Sequence, residues 1–181
     1  GKGAAYDQKL KVVKLKSMAE TLLFIQKHDF ADFDALADYA DAASGRTKKL
    51  TAKIKAAESR MAEIAVLKTH IINYAKTRDV YTAYRKAGYS RKYYDAHESD
   101  IIIHKAAKKA FDDLALKKLP TVKSLQAEYS DLLVQKKLDY AELSKARDEA
   151  KRLQIYKANA EMLLCTDADD QRQTREHQQE K

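Results

Sequence analysis

Apolar side chains recur at alternating steps of three and four residues along two long stretches of this chain. Such spacing keeps one side of an α-helix apolar and is typical of helices that pair along their length as coiled coils. The first stretch contains eleven positions at this spacing: Leu36, Ala40, Ala43, Thr47, Leu50, Ile54, Ala57, Met61, Ile64, Lys68 and Ile71. All of them except Thr47 and Lys68 are apolar. The second stretch contains Val122, Leu125, Tyr129, Leu132, Lys136, Asp139, Leu143, Ala146, Ala150, Leu153, Lys157, Ala160 and Leu164. The pattern predicts two long helices that pair through these positions.

The second stretch has one irregularity, at Lys136 and Asp139, where two consecutive positions of the row are charged. Leu133, Leu138 and Tyr140 lie close by in the sequence and could fill the seam in their place. A shift of this kind is a stutter, which changes the local winding of a coiled coil without ending it. We therefore expect the seam to move onto these neighbours.

Turn-forming residues are scarce, since the 181 residues include four glycines and one proline. This scarcity excludes an all-β fold, and the chain lacks the β-branched runs of a parallel α/β fold. The few turn and cap residues mark helix ends. Asp32 is expected to cap the helix that begins near residue 33, and Gly88 to stop it. Ser90 and Pro120 are expected at the starts of later helices.

These elements predict an all-α fold built on a long antiparallel coiled-coil hairpin. Its arms are residues 33–77 and 121–165, with a small helical head at 78–119 between them. A helix at 5–30 is expected to pack at the base of the hairpin, and 166–181 to form a disordered polar tail. A compact four-helix bundle is the alternative, although the unequal helix lengths make it harder to pack.

The predicted N-terminal helix has a broad apolar face, which we expect to pack against the rest of the chain. Its residues are Val12, Leu15, Ala19, Leu22, Leu23 and Ile25.

The sequence also bears on location. Its apolar runs are far shorter than the roughly 18 residues that a membrane span needs, so no membrane insertion is expected. A secretion signal is not evident, and the single cysteine, Cys165, cannot form an internal disulfide. These features favour the cytoplasm. Because the chain begins with Gly-Lys-Gly, we expect it to be a segment of a longer protein.

Residues that could carry catalysis are sparse. The sequence shows no glycine-rich phosphate loop, cysteine pair or Ser-His-Asp pattern. His97 and His104 are seven residues apart, whereas histidines that share a metal on one helix are usually three or four apart. We therefore predict no catalytic residue, no metal site and no cofactor, and no enzymatic activity for this stretch of chain.

The most informative segment for function is KTRDVYTAYRKAGYSRKYY, from Lys76 to Tyr94. Six basic residues and five tyrosines stand in it against one acidic residue, in a chain with a net charge of +8. Basic side chains neutralise phosphates, and tyrosine rings stack on bases or donate hydrogen bonds to phosphate oxygens. The predicted nucleic-acid contacts are Arg78, Tyr84, Arg85, Lys86, Tyr89, Arg91, Lys92 and Tyr94. Alternatively, the tyrosines form the core of the head, with lysine and arginine stems lying over them.

Two longer stretches resemble the C-terminal region of the relaxase/mobilisation nucleases of conjugative elements. They are AEIAVLKTHIINYAKTRDVYTAYRKAGYSRKYYDAHESDIIIHKAAKKAFDDL and KLPTVKSLQAEYSDLL, and the resemblance spans roughly Leu10 to Leu164. In that family an N-terminal domain nicks the transfer origin with a tyrosine nucleophile and a histidine-bound metal. This chain matches neither feature, so the resemblance carries over no catalytic residue.

The resemblance implies an accessory role in conjugation or plasmid mobilisation, with origin-of-transfer DNA, other relaxosome proteins or a coupling protein as partners. The alternative is a coiled-coil spacer that binds proteins without contacting nucleic acid. In that case the heptad rows could also support self-association.

Overall fold

A computed structural model describes the backbone of residues 3–114 and 118–179. Every secondary-structure element in these residues is a helix, which confirms the all-α prediction. In chain order the helices are α1 (Ala4–His28), α2 (Phe33–Lys86), α3 (Arg91–Ala96), α4 (Glu98–Asp113) and α5 (Val122–Gln179). No helix within the described ranges has the length and apolar character to cross a membrane.

Residues next to the helix ends determine where α2 begins and ends and where α5 begins. The backbone N–H of Ala35 donates to Asp32 Oδ1 at 2.8 Å, which confirms the predicted cap of α2. At its other end the chain leaves the helix through Gly88, whose φ of +62° lies in the left-handed region. The start of α5 is capped by Thr121, whose Oγ1 accepts from the N–H of Ser124 at 3.0 Å. Pro120 comes just before that cap.

The described chain forms two compact units. Of the described residues, unit 1 comprises 3–52 and 140–179, and unit 2 comprises those between Lys53 and Asp139. Both α2 and α5 contribute residues to each unit. Unit 2 contains the predicted head at 78–119 together with the parts of α2 and α5 that adjoin it.

Within unit 1, α2 and α5 run antiparallel. Asp41 Oδ2 accepts from Lys157 Nζ at 3.1 Å, and Arg46 Nη2 donates to Glu142 Oε1 at 2.7 Å. As residue numbers rise along α2, those of the partners on α5 fall. The apolar core between the two segments consists of Leu36, Ala40, Leu143, Ala146, Ala150, Leu153 and Ala160.

Helix α1 packs against α5 in unit 1 through the side that carries Ser17 and Thr21. Asn159 Nδ2 donates to Ser17 Oγ and to Thr21 Oγ1, both at 2.9 Å, and Thr21 is fully buried. The ring of Phe24 lies 4.8 Å from that of Tyr156. Small hydroxyl side chains allow α5 to approach this side closely.

Most of the apolar face predicted for α1 therefore remains uncovered. Val12, Leu15, Leu22 and Leu23 are between 52% and 69% exposed, whereas Ile25 is half-buried.

Within unit 2, α2 and α5 again run antiparallel. Lys136 Nζ donates to Glu58 Oε1 at 3.3 Å, and Arg60 Nε donates to Glu128 Oε1 at 2.7 Å. The hydrogen bond from Arg60 holds the pKa of the Glu128 carboxyl below its usual value. A core cluster of Ile64, Leu67 and Leu125 is surrounded by Ile71, Phe111, Tyr129 and Leu132, so α4 also contributes to this core.

The predicted stutter in α5 is wrong, because Asp139 itself occupies the seam with 2% of its surface exposed. Its Oδ1 accepts from Lys53 Nζ at 2.9 Å and from Gln135 Nε2 at 2.8 Å. These bonds, led by that from Lys53, lower the pKa of the carboxyl despite its burial. Of the three residues expected in the seam, Leu138 and Tyr140 are exposed, whereas Leu133 is half-buried. A row that holds a charged residue stays in register when that charge is paired.

The last part of α5 differs from the predicted disordered tail at 166–181, because the helix continues to Gln179. The segment has no glycine or proline and includes four glutamines, two arginines and two glutamates, which are compatible with a helix even where no apolar face is present.

Candidate nucleic-acid interface

The basic and tyrosine-rich segment lies entirely within unit 2. It includes the last turns of α2, a left-handed turn at Gly88 and Tyr89, and the first residues of α3. The N–H of Tyr89 donates to the carbonyl of Tyr84 at 3.1 Å, which closes α2. The segment thus presents two helix ends joined by a tight turn.

Tyr84 is the centre of an aromatic cluster. Its ring centroid lies 5.2 Å from that of Tyr89, 6.3 Å from that of Tyr93 and 6.0 Å from that of Tyr94. Only 8% of Tyr84 is exposed. This is the packing role that the alternative interpretation gave to the tyrosines, and it leaves Tyr84 without a free face for a base.

The other two tyrosines predicted to contact nucleic acid have different environments. Tyr89 is 58% exposed and has a φ of +59°, which is uncommon for a residue with a side chain. Tyr94 is half-buried, and its hydroxyl donates to Glu98 Oε1 at 3.4 Å. Tyr89 is therefore the predicted tyrosine most open to a ligand.

All five predicted basic contacts are exposed: Arg78, Arg85, Lys86, Arg91 and Lys92. Arg78 Nε pairs with Asp79 Oδ1 at 3.2 Å, and Arg91 Nε pairs with Asp95 Oδ1 at 2.8 Å. Exposed pairs of this kind contribute little free energy, so phosphate oxygens can replace the carboxylates at small cost.

Lys105 of α4 joins this surface, although it is not among the contacts predicted from the sequence. Its Nζ lies 5.9 Å from the ring centroid of Tyr84 and 6.0 Å from that of Tyr94. The guanidinium of Arg91 lies 5.6 Å from the Tyr94 centroid. Aromatic faces thus hold two cations in place. Ile101, His104 and Ala107 recur every three residues and are the buried positions of α4. Because Lys105 directly follows His104, this spacing could have placed it beside the tyrosine cluster.

His104 has a structural environment. It is 3% exposed, and its ring lies between those of Tyr74 and Tyr81, with centroids 4.4 and 4.3 Å away. Its Nδ1 lies 3.0 Å from Thr77 Oγ1, and that hydroxyl also donates to the carbonyl of Asn73 at 2.8 Å. With the hydroxyl hydrogen used in this way, Nδ1 is the donor to Thr77. His97, the other histidine of the predicted pair, lies beside the Tyr93 ring at 4.4 Å.

The surface offers exposed positive charge and the exposed ring of Tyr89. Among the residues whose structure is described, no three His, Cys, Asp or Glu side chains are grouped so that they could hold a metal ion. Comparison of the chain with protein-family models, with curated proteins and with solved structures found no match.

Proposed function

We propose that this chain is a non-catalytic helical region that binds DNA through the end of α2 and the start of α3. The observation that carries the proposal is the presence of five exposed basic side chains within residues 78–92, the stretch that also contains the exposed Tyr89. The packed Tyr84 cluster supports the surface from below, and cations from α3 and α4 lie over its rings.

The chemistry of this surface suits a phosphate backbone better than a defined base sequence. Guanidinium and ammonium groups bind phosphates and release counterions, whereas sequence is read by side chains that reach base edges. Arg85 and Lys86 lie in the last turn of α2, where the helix dipole favours positive charge and helps to hold them in place. The exposed ring of Tyr89 adds a face on which an unpaired base could stack.

The resemblance to the C-terminal region of relaxases supports the biological setting of the proposal. We infer that the chain is the accessory part of a DNA-nicking protein of conjugative mobilisation and acts in the cytoplasm. It would hold transfer-origin DNA, while a separate domain performs the nicking.

Fluorescence anisotropy with labelled single- and double-stranded DNA tests the proposed surface. Arg85, Lys86, Arg91 and Lys92 are changed to Ala together, and binding is measured at several salt concentrations. We expect the native chain to show a log–log salt slope of about −0.9 per duplex phosphate contacted, or about −0.7 for single strands. The variant should bind more weakly and with a shallower slope.

A matched control separates the surface from the overall charge. The control variant has Lys145, Arg147, Lys151 and Arg152 changed to Ala. It also loses two lysines and two arginines, but from exposed positions of α5 in unit 1. This variant should bind DNA as the native chain does. Equal losses in both variants, or binding by the native chain that does not respond to salt, would show that the α2–α3 surface is not a DNA site.

A further inference from the structure

An apolar row on α1 lies on the side turned away from α5. Val12, Leu15, Ala19 and Leu22 follow one another at steps of three, four and three residues, and all are exposed. We call these four residues the outer row. The opposite side of the same helix is the one that holds Ser17 and Thr21 against Asn159. Helix α1 therefore has two contact sides, of which one is occupied within unit 1.

The outer row leads into an apolar groove. Leu22 lines this groove together with Ile25, Phe30, Phe33, Leu163 and Leu164. Asp32 is the polar residue of the lining. The groove is thus built by α1, the start of α2 and the later part of α5, all within unit 1. A bulky apolar side chain of a bound partner would fit here, at one end of the outer row.

Lysines border the outer row on both sides. With 3.6 residues per turn, Lys11 lies along one edge of the row, and Lys9 and Lys16 lie along the other. All three are exposed. Glu20 shares the edge of Lys9 and Lys16, so the borders remain positive overall. In paired helices these positions face the corresponding positions of the partner and select its charge.

We propose that the outer row and its groove bind an amphipathic helix of a partner protein. This helix would carry apolar residues at steps of three and four, and acidic residues on both borders. The spacing of the outer row supplies the register, the lysines supply the charge preference, and the groove takes one apolar anchor.

Two other occupants fit these features less well. A second copy of this chain would bring the lysine borders of two α1 helices together, which is unfavourable. An anionic lipid surface would suit the lysines, but a lipid surface imposes no three-and-four spacing and needs no groove. An acidic helix satisfies the spacing, the charge and the groove together.

The single cysteine offers a local reporter of binding. Cys165 is exposed and follows Leu164 of the groove. An environment-sensitive fluorophore on Cys165 of the full chain is titrated with two synthetic helical peptides. Both have leucine at the seam positions; one has glutamate and the other has lysine at the border positions. We expect the acidic peptide to shift the emission and to bind at least about tenfold more tightly. Raising the salt should reduce that difference.

Substitutions on the outer row provide the decisive comparison. Leu15→Gln with Leu22→Gln should weaken binding of the acidic peptide by about tenfold or more, because both side chains would be covered. Val134→Gln with Leu138→Gln, at two exposed apolar positions of α5 in unit 2, is the matched control and should bind as the native chain does. Circular dichroism establishes that each variant keeps its helix content.

Several results would overturn the proposal. One is equal affinity for the two peptides, and another is binding that both double variants retain. Sedimentation of a dimer that the outer-row variant dissociates would assign the surface to a second copy. Binding to vesicles of phosphatidylcholine and phosphatidylserine, without binding of the acidic peptide, would assign it to a lipid surface. The DNA proposal concerns unit 2, and none of these results bears on it.

Discussion

His104 shows how a single side chain can make the stability of unit 2 depend on pH. Burial, with a smaller contribution from the positive charge of Lys108, lowers the pKa of its imidazole below the usual 6.5. The unfolded chain therefore binds a proton more readily than the folded chain does. The stabilisation from the neutral ring is fully present above about pH 6.5 and is lost as the pH falls from there towards the folded pKa.

We predict that the free energy of unfolding falls on acidification below this point, with a slope of up to about 1.4 kcal/mol per pH unit from this one proton. Denaturant titrations at a series of pH values measure it. His104→Gln should reduce the slope even though it also lowers the stability at neutral pH. His70→Gln in α2 controls for the loss of a histidine. An unchanged slope in His104→Gln would contradict the assignment to this ring.

The tyrosines illustrate which parts of the site could be predicted from individual residues. The alternative interpretation, in which the tyrosines form a core, holds for Tyr84, which is buried. The exposure of the basic residues also follows from their charge. The tyrosine sandwich around His104 could not be predicted, because α2 supplies both rings and α4 supplies the histidine between them. Local spacing within α2 carries no information about what enters from another helix.

At the scale of the helices, the heptad-like rows of α2 and α5 could be predicted from the sequence. The side of α1 that packs against α5 could not. Every position of the first row is buried or half-buried, and so is every position of the second except Leu164. Because α2 and α5 each have one apolar side, that side forms the contact with the other helix. Helix α1 has two possible sides, and the contact that selects one comes from Asn159, which is 138 residues after Thr21. The stutter prediction was wrong because Lys53, on the other helix, pairs with Asp139.

Two glycines of opposite conformation provide a matched prediction for α2. Gly45 lies inside the helix and Gly88 lies just past its end at a φ of +62°, and an added Cβ meets nothing within 4 Å at either position. Gly45→Ala should raise the free energy of unfolding by about 0.5–1 kcal/mol, because alanine favours helix. Gly88→Ala should lower it by about 1–2 kcal/mol, since left-handed backbone is unfavourable for alanine.

Thermal or denaturant unfolding of the two variants measures both effects under identical conditions. The chemical change is the same in each case, so the difference in sign reports the backbone conformation. A stabilising Gly88→Ala would mean that α2 continues past residue 88.

At the scale of the molecule, the division into two units predicts that a local defect opens one unit more than the other. Leu36 lies in the core of unit 1 and Ile64 in that of unit 2, and both are almost completely buried. Changing either to Ala should cost about 2–5 kcal/mol through lost burial and the cavity left behind. We expect amide hydrogen exchange to accelerate mainly in unit 1 for Leu36→Ala and mainly in unit 2 for Ile64→Ala.

Exchange followed by mass spectrometry of peptic fragments resolves this pattern. Leu36→Val and Ile64→Val, which remove less volume, should give smaller changes in the same regions. Uniform acceleration along the whole chain in both alanine variants would instead mean that α2 and α5 make the two units a single cooperative structure.

The interleaving of the units along the chain has a consequence for synthesis. Unit 2 is one uninterrupted stretch, whereas unit 1 requires residues from both ends of the sequence. On the ribosome α1 emerges before α2 and α5, yet Asn159 follows Thr21 by 138 residues. At a synthesis rate of about 5–20 residues per second, Asn159 is added roughly 7–28 s after Thr21. During that interval the hydrogen bonds of α1 to Asn159 and its ring contact with Tyr156 cannot form. The side of α1 that α5 covers in the fold is therefore accessible to chaperones while the middle of the chain can already fold.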